Sequence, residues 1–299
     1  MQTLITGGSG FIGSNLDGDI KLSSSDVDFR KFSDTLDCFK KYRPTKIINC
    51  AAKFGNYINM QREISEYFSD NMRINLNVYE AARLTGVQNM ISTSTITAFP
   101  SQVEDITKFT EDELYDGKPD NSCYTSAYAK RMVDVLSRSY KEQYGLNYIC
   151  TFITNTYGPN FKLDNGVVPF LIHKCYLAKK YNKDLIIEGD GTPLRDFIFV
   201  KDVNKILNWL LNNYNESKPV IISTGVGVQI KELVDIIVQK FNFKGRVLWN
   251  HSNNLGQKIK LCDNSYLLSL KSDIEFTSLE EGISETIDWF LNNKEKYEI

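Results

Sequence analysis

The stretch NSCYTSAYAKR at 121–131 places Ser126 four residues ahead of Lys130. Residues four apart on an α-helix are rotated by about 400°, which leaves them about 40° from a common face. A hydroxyl and an ammonium held that way are the parts of a proton-delivery pair, in which the cation makes its neighbour a better acid. Serine is the short version of such a donor, ending well before a phenol would and far less acidic than one. The nearby phenols do not substitute for it: Tyr128 is about 200° round the helix from Lys130, and Tyr124 is about 120° off its face.

TGGSGFIG at 6–13 follows an apolar run, TLIT, and carries Gly7, Gly10 and Gly13, with Phe11 and Ile12 between the last two. Such glycines let the backbone turn tightly and approach a pyrophosphate, whose charge then lies at a helix N-terminus. At the first strand–helix junction of an α/β chain this predicts dinucleotide binding. Ala51 and Ala52 extend the cofactor set from the end of KIINCAA, and Lys53 follows where ligands bind in open α/β sheets. The unit after the fingerprint is compact. Ser14, Asn15 and Leu16 alone separate Gly13 from the turn Asp17-Gly18-Asp19, and Ile20–Leu22 is expected to be the second strand. A helix from Gly10 to Leu16 is about 10 Å long, and the crossover is near the minimum of about a dozen residues. An NAD site usually puts Asp or Glu at the end of the second strand, on the ribose 2′-hydroxyl. Here Ser23-Ser24-Ser25 stands there and can hydrogen-bond a 2′-phosphate, so NADP is favoured, with Asp26 just beyond arguing the other way.

The elements that must hold these groups follow from periodicity. Strand candidates at 3–6, 46–52, 89–95 and 146–153 alternate with helical patterns, notably 69–86, where Met72, Leu76, Tyr79 and Ala82 form a stripe. Ser69 or Asp70 offers a cap and Gly86 a C-terminal stop. This predicts an α/β fold: a Rossmann-type, doubly wound parallel sheet covered on both faces. Further strands are expected at 184–191, 195–200 and 219–224, and amphipathic helices at 230–241 and 279–293. The reading is a dinucleotide-binding domain over 1–155, rejoined by a strand and helix from about 195–225, with 156–299 mainly a smaller α/β substrate-binding lobe.

Bulk properties narrow the classes. The chain has 299 residues, 42% hydrophobic and 24% charged, with a net charge of −2, which leaves no electrostatic footprint for nucleic acid or an anionic membrane. No apolar run approaches a membrane span, and no signal segment is evident. Six scattered cysteines without a CxxC pair read as reduced and cytoplasmic. Two histidines, His173 and His251, argue against a metal site.

The stretches TGGSGFIGS, INCAAKFGN, AYAKRMVDV, TNTYGPNF, VVPFLIHKCYLAKK and GDGTPLRDFIFVKDV together resemble the GDP-L-fucose synthase family of extended short-chain dehydrogenase/reductases. The resemblance spans nearly the whole chain. It implies a Rossmann lobe for NADPH, a smaller lobe for a GDP-sugar, and homodimers packed through two long helices, here 68–86 and 124–144. It implies 3,5-epimerisation of GDP-4-keto-6-deoxy-D-mannose followed by reduction of the 4-ketone. The family's serine falls on Thr95, its epimerisation cysteine on Thr97, the partner histidine on Gly166, the tyrosine on Ser126, and the lysine on Lys130. Arg195 matches an arginine that holds the nucleotide-sugar, Lys174 is expected to face the diphosphate, and Asn155 to line the cleft.

Epimerisation needs an acid and a base with pKa values near the working pH. Thr97 does not titrate usefully and Gly166 has no side chain, so this activity is expected to be absent or very weak. His173, seven residues after Gly166, is expected to pack or hydrogen-bond in the lobe. Without the tyrosine, a water between Ser126, Thr95 and Lys130 is one route for the proton; losing a positioned general acid costs about 10²–10⁴-fold. Two readings stay open: an NADP-dependent reductase of a GDP-linked 4-keto-6-deoxy sugar, and a pseudoenzyme or regulatory partner that keeps the NADP and GDP-sugar sites. A rebuilt pocket for another sugar is a third.

Overall fold

The computed structural model describes residues 2–55, 57–101, 107–163, 166–250 and 257–297. In chain order come β1 (Thr3–Thr6), α1 (Phe11–Asn15), β2 (Ile20–Leu22), α2 (Phe32–Tyr42), β3 (Lys46–Asn49), α3 (Tyr57–Arg62), α4 (Ile64–Leu84) and β4 (Asn89–Thr95). After these run α5 (Tyr124–Tyr144), β5 (Asn147–Ile153), β6 (Asn155–Tyr157), α6 (Val167–Lys180), β7 (Leu185–Glu188), β8 (Leu194–Phe199), α7 (Val200–Asn213) and β9 (Val220–Ile222). The last are β10 (Gly227–Gln229), α8 (Ile230–Lys240), β11 (Val247–Asn250), β12 (Ile259–Lys260), α9 (Ser265–Leu270) and α10 (Leu279–Asn292).

Six parallel strands form the main sheet in the order β2-β1-β3-β4-β5-β9. Successive strand residues point to opposite faces, and here both faces are buried, which is why the strands read as continuous apolar runs. Leu4, Ile47, Met90 and Tyr148 pack on one side with Phe39 of α2, Val78 and Ala82 of α4 and Val133 of α5. Their chain neighbours Ile5, Ile48, Ile91 and Ile149 pack on the other with Leu16, Leu267 of α9 and the α7 stripe Val203, Ile206, Leu207, Leu210. Because α1 is only five residues long, α7 supplies most of the apolar cover on that face.

A second group of strands, β10-β8-β12 with β6 also on β8, carries the other half of the cleft. It sits over a separate core that includes Tyr157, Phe161, Ile172, Phe199, Leu233 and Phe290. β7 and β11 pair apart from it.

Several element ends differ from expectation for physical reasons. α4 starts at Ile64, ahead of both offered caps. Asp70 is an interior helical residue, buried and bridged by Arg73 at 3.2 Å, Arg30 at 3.5 Å and Lys53 at 3.8 Å. Long-range ion pairing here overrides a local cap signal. The other end does stop at Gly86, which takes φ +82° while Val87 N–H donates to the Ala82 carbonyl. β3 ends at Asn49, short of Cys50, Ala51 and Ala52, which form the loop beside the fingerprint.

Candidate active site

The sheet order places β1 between β2 and β3, so the crevice beyond their carboxyl ends is a topological switch point. The fingerprint turn fills that place. Gly7 has φ +66°, and a Cβ on it would meet the Cys50 carbonyl oxygen at 2.7 Å. A Cβ on Gly13 would come within 2.3 Å of the Gly7 carbonyl oxygen, so α1 can approach the turn only as glycine. Gly10 caps α1, whose first amides have no intrahelical acceptor. Phe11 leans on the second lobe's core and Ile12 on the sheet's, while Asn15 donates to the Pro159 carbonyl at 2.9 Å. The fingerprint is thereby fastened to both halves of the cleft. Ala51 N–H is anchored on the Thr6 hydroxyl at 3.1 Å, with Ala52 half-buried beside it.

The turn after β2 is stitched by Asp26, which accepts from the Ser23 amide at 2.8 Å and its hydroxyl at 2.6 Å. These bonds hold the Asp26 carboxyl below the usual carboxylate range. Ser24 stands exposed in the same turn, its side chain making no hydrogen bond among the described residues. These residues fit an adenosine dinucleotide: a glycine cradle that a Cβ would fill, with the exposed Ser24 hydroxyl in the turn after β2.

Lys130 is half-buried, and desolvation pulls its ammonium pKa below the ordinary lysine range. Its Nζ donates to the Thr93 carbonyl at 3.0 Å, which aims it at the exit of β4. Thr95 is the last residue of β4. Its Oγ1 accepts from Thr97 N–H at 3.3 Å and from the Thr97 hydroxyl at 3.4 Å, leaving its own proton to give. Ser126 donates to the Cys123 carbonyl at 3.0 Å, with Met60 Sδ of α3 at 4.0 Å. Among the described residues, no hydrogen bond joins Ser126, Thr95 and Lys130 to one another. Tyr128 lies under the Arg131 guanidinium on the far side of α5. Tyr124 is the first helical residue and largely exposed.

Across the cleft, Arg195 of β8 donates to the carbonyls of Leu194 at 2.8 Å and Gln257 at 2.7 Å. Burial lowers its pKa, and among the described residues no carboxylate bridges it. Lys260 of β12 is its register partner across the ladder. Lys260 is 9% exposed, and burial, seconded by the Arg195 charge, pulls its ammonium down. Nothing in the sequence marked Lys260, because only strand pairing brings it beside Arg195. Asn155 donates to the Asp196 carbonyl at 2.8 Å, bracing β6 against β8. Lys174 rests over the Phe170 ring at 5.2 Å on α6.

One expectation needs correction. Lys53 is not an open strand-end cation: Glu63 takes its Nζ at 2.7 Å and Asp70 lies at 3.8 Å, so it ties the loop after β3 to α4. Gly166 is more than a missing side chain. It caps α6 at φ +113° and ψ −171°, backbone that histidine adopts only under strain. His173 packs edge-on to Phe290 at 6.1 Å, with burial lowering its pKa. His251 lies outside the described residues. Among those residues no cluster could hold a metal ion, and no helix is long and apolar enough to cross a membrane.

The profile of the NAD dependent epimerase/dehydratase family matches residues 3–225. GDP-L-fucose synthase of Dictyostelium discoideum is 37% identical, over 98% of this chain and 96% of its own. The Escherichia coli K12 GDP-L-fucose synthase is 30% identical, over 99% and 98%. A crystal structure of a GDP-L-fucose synthetase from Naegleria fowleri bound to NADP superposes with a TM-score of 0.89 at 32% identity, covering 98% of this chain and 94% of that one. With its glycine cradle at the switch point and its lysine in register on α5, the chain belongs to the NAD dependent epimerase/dehydratase family and, within it, to the GDP-L-fucose synthases.

Proposed function

We propose that the chain is an NADP-dependent reductase of a GDP-linked 4-keto-6-deoxy sugar in which 3,5-epimerisation has been lost. The observation that carries the reading is the pair Arg195 and Lys260, the first half-buried and the second buried, like charges adjacent in the sheet with no carboxylate bridging them among the described residues. Like charges so placed repel, and buried cations call for an anion. A diphosphate supplies two negative groups and the bidentate geometry that a guanidinium matches. The names of the Dictyostelium and Naegleria relatives support the GDP-sugar and NADP parts.

In this reading residues 1–155 hold the cofactor and 156–299 mainly the sugar nucleotide. Gly7, Gly10, Phe11, Ile12, Gly13, Ala51 and Ala52 receive the dinucleotide, and Ser24 bonds the 2′-phosphate. The bound nicotinamide supplies hydride; Lys130 holds its ribose, and Thr95 donates a hydrogen bond to the ketone oxygen. Lys174 and Asn155 complete the substrate side. α4 and α5 pack together and leave Phe68, Leu76 and Val135 exposed, a surface suited to pairing with a second copy in a homodimer, in the cytoplasm.

The test is consumption of NADPH in the presence of GDP-4-keto-6-deoxymannose. Turnover above background, with no deuterium entering C3 or C5 from heavy water, is the expected result. Tight binding of both ligands without turnover sinks the reductase reading. That outcome selects the second one, a pseudoenzyme or regulatory partner, which Ser126 favours by turning its hydroxyl back into its own helix.

A further inference from the structure

Cys123, Ser126 and Lys130 are spaced three and four apart at the start of α5, so they run along one face of it. Cys123 lies about 20° round from Lys130 and roughly 10 Å along the axis. Among charged groups the Lys260 ammonium acts most strongly on the Cys123 thiol, so the β12 side of the cleft, with Arg195 and Lys260, meets that end of the row. On the function proposed above, the nicotinamide ribose sits at Lys130 and the diphosphate at Arg195 and Lys260. The hexose that joins them must therefore lie over Ser126 and Cys123.

We propose that the Cys123 thiol is the proton donor of the ketone reduction, in the role for which Ser126 is too short. Cys123 is partly exposed at the helix N-terminus. Its Sγ makes a weak contact, 3.8 Å to the Asp120 carbonyl, and a side-chain hydrogen bond with Ser122. Lys260, nine-tenths buried and, among the described residues, without a side-chain hydrogen bond or ion pair, is the charge that acts most strongly on it. Asp120, the other charge facing the thiol, has Oδ1 committed to the Ser122 amide and hydroxyl, at 2.8 Å and 2.5 Å. Burial keeps Cys123 protonated, against the pull of Lys260, so it carries a proton to give.

The step balances as follows. The carbonyl carbon takes a hydride from the reduced nicotinamide while the C=O π pair moves to oxygen. The S–H bond breaks, its proton passes to that oxygen, and the thiolate is left beside the Lys260 ammonium. Solvent returns a proton to sulfur, so the sum is ketone, NADPH and one proton giving alcohol and NADP⁺.

The experiment is a double-mutant cycle of Cys123→Ser and Ser126→Tyr, with kcat followed by NADPH consumption and binding of GDP and NADPH measured separately. Cys123→Ser is expected to lower kcat about 10²-fold or more with both dissociation constants unchanged, which also shows that the variant is folded. In the Ser126→Tyr background the same change is expected to cost little, because a phenol now gives the proton. An unchanged kcat in Cys123→Ser, or an equal loss in both backgrounds, overturns the donor role and leaves the reductase standing. No turnover by the unaltered chain overturns both. Where Cys123→Ser binds poorly, Cys123→Ala is read in the same cycle, and an equal loss in both backgrounds again defeats the proposal.

Discussion

Arg195 and Lys260 face each other across the β8–β12 ladder, Arg195 half-buried and Lys260 buried, and among the described residues no carboxylate forms an ion pair with either. Such an arrangement opposes folding and favours an anion, so stability and binding should respond in opposite directions. Arg195→Ala is expected to weaken GDP binding about 10–100-fold, the worth of a hydrogen bond to a charged group. Lys260→Met should weaken GDP binding by about tenfold or more while raising the midpoint of thermal unfolding of the ligand-free chain. Calorimetry and a melting curve measure the two; a lower midpoint in Lys260→Met contradicts the uncompensated charge.

The same pair predicts a pH effect. Lys260 has its pKa depressed below 10.5 in the free chain, and a bound diphosphate raises it. Between those two values the free chain has lost the proton and the complex holds it. GDP binding should therefore take up protons in the pH window that opens below the ordinary lysine value. Titration calorimetry in buffers of different ionisation enthalpy measures the uptake, and Lys260→Met should abolish it. For stability the sign is the reverse: a depressed lysine makes the unfolded chain bind more protons, so this group's contribution rises with pH through the same window.

Gly166→His will not bring back proton exchange at C3 and C5. Its φ of +113° and ψ of −171° cost a side-chain-bearing residue about 1–3 kcal/mol, and Thr97 still lacks a titratable group. The expected outcome is a lower unfolding midpoint, with no deuterium in the sugar. Exchange detected by mass spectrometry in Gly166→His alone would refute the account.

Cofactor choice should reside in the turn after β2. Ser24→Asp sets a second carboxylate beside Asp26 and is expected to weaken NADPH binding about tenfold or more with little effect on NADH. Equal losses for the two cofactors would remove Ser24 from the 2′-phosphate site.

The cofactor side of the molecule was legible because its physics is local. Gly7 and Gly13 are demanded by a turn and a helix that touch each other within the same short segment. Ser126 and Lys130 share a face because helical spacing fixes it, and the buried runs of β1, β3 and β4 announce a two-sided sheet. Gly86 ends α4 through its own backbone. The missed helix start shows the limit: Ser69 and Asp70 look like caps until Arg30, a residue forty positions away, and Lys53 claim Asp70.

The residues themselves settled that the cleft lacks a phenol at 126 and a cysteine–histidine pair at 97 and 166. Tertiary structure decided what stands near those gaps. Lys260 meets Arg195 because β12 adds to β8 after a long excursion, and the same pairing brings its ammonium to Cys123. No spacing rule carries that information, since the contact joins segments far apart in the chain. Charge burial, too, exists only once the lobes have closed around it, and it is burial that turns two ordinary cations into a demand for an anion.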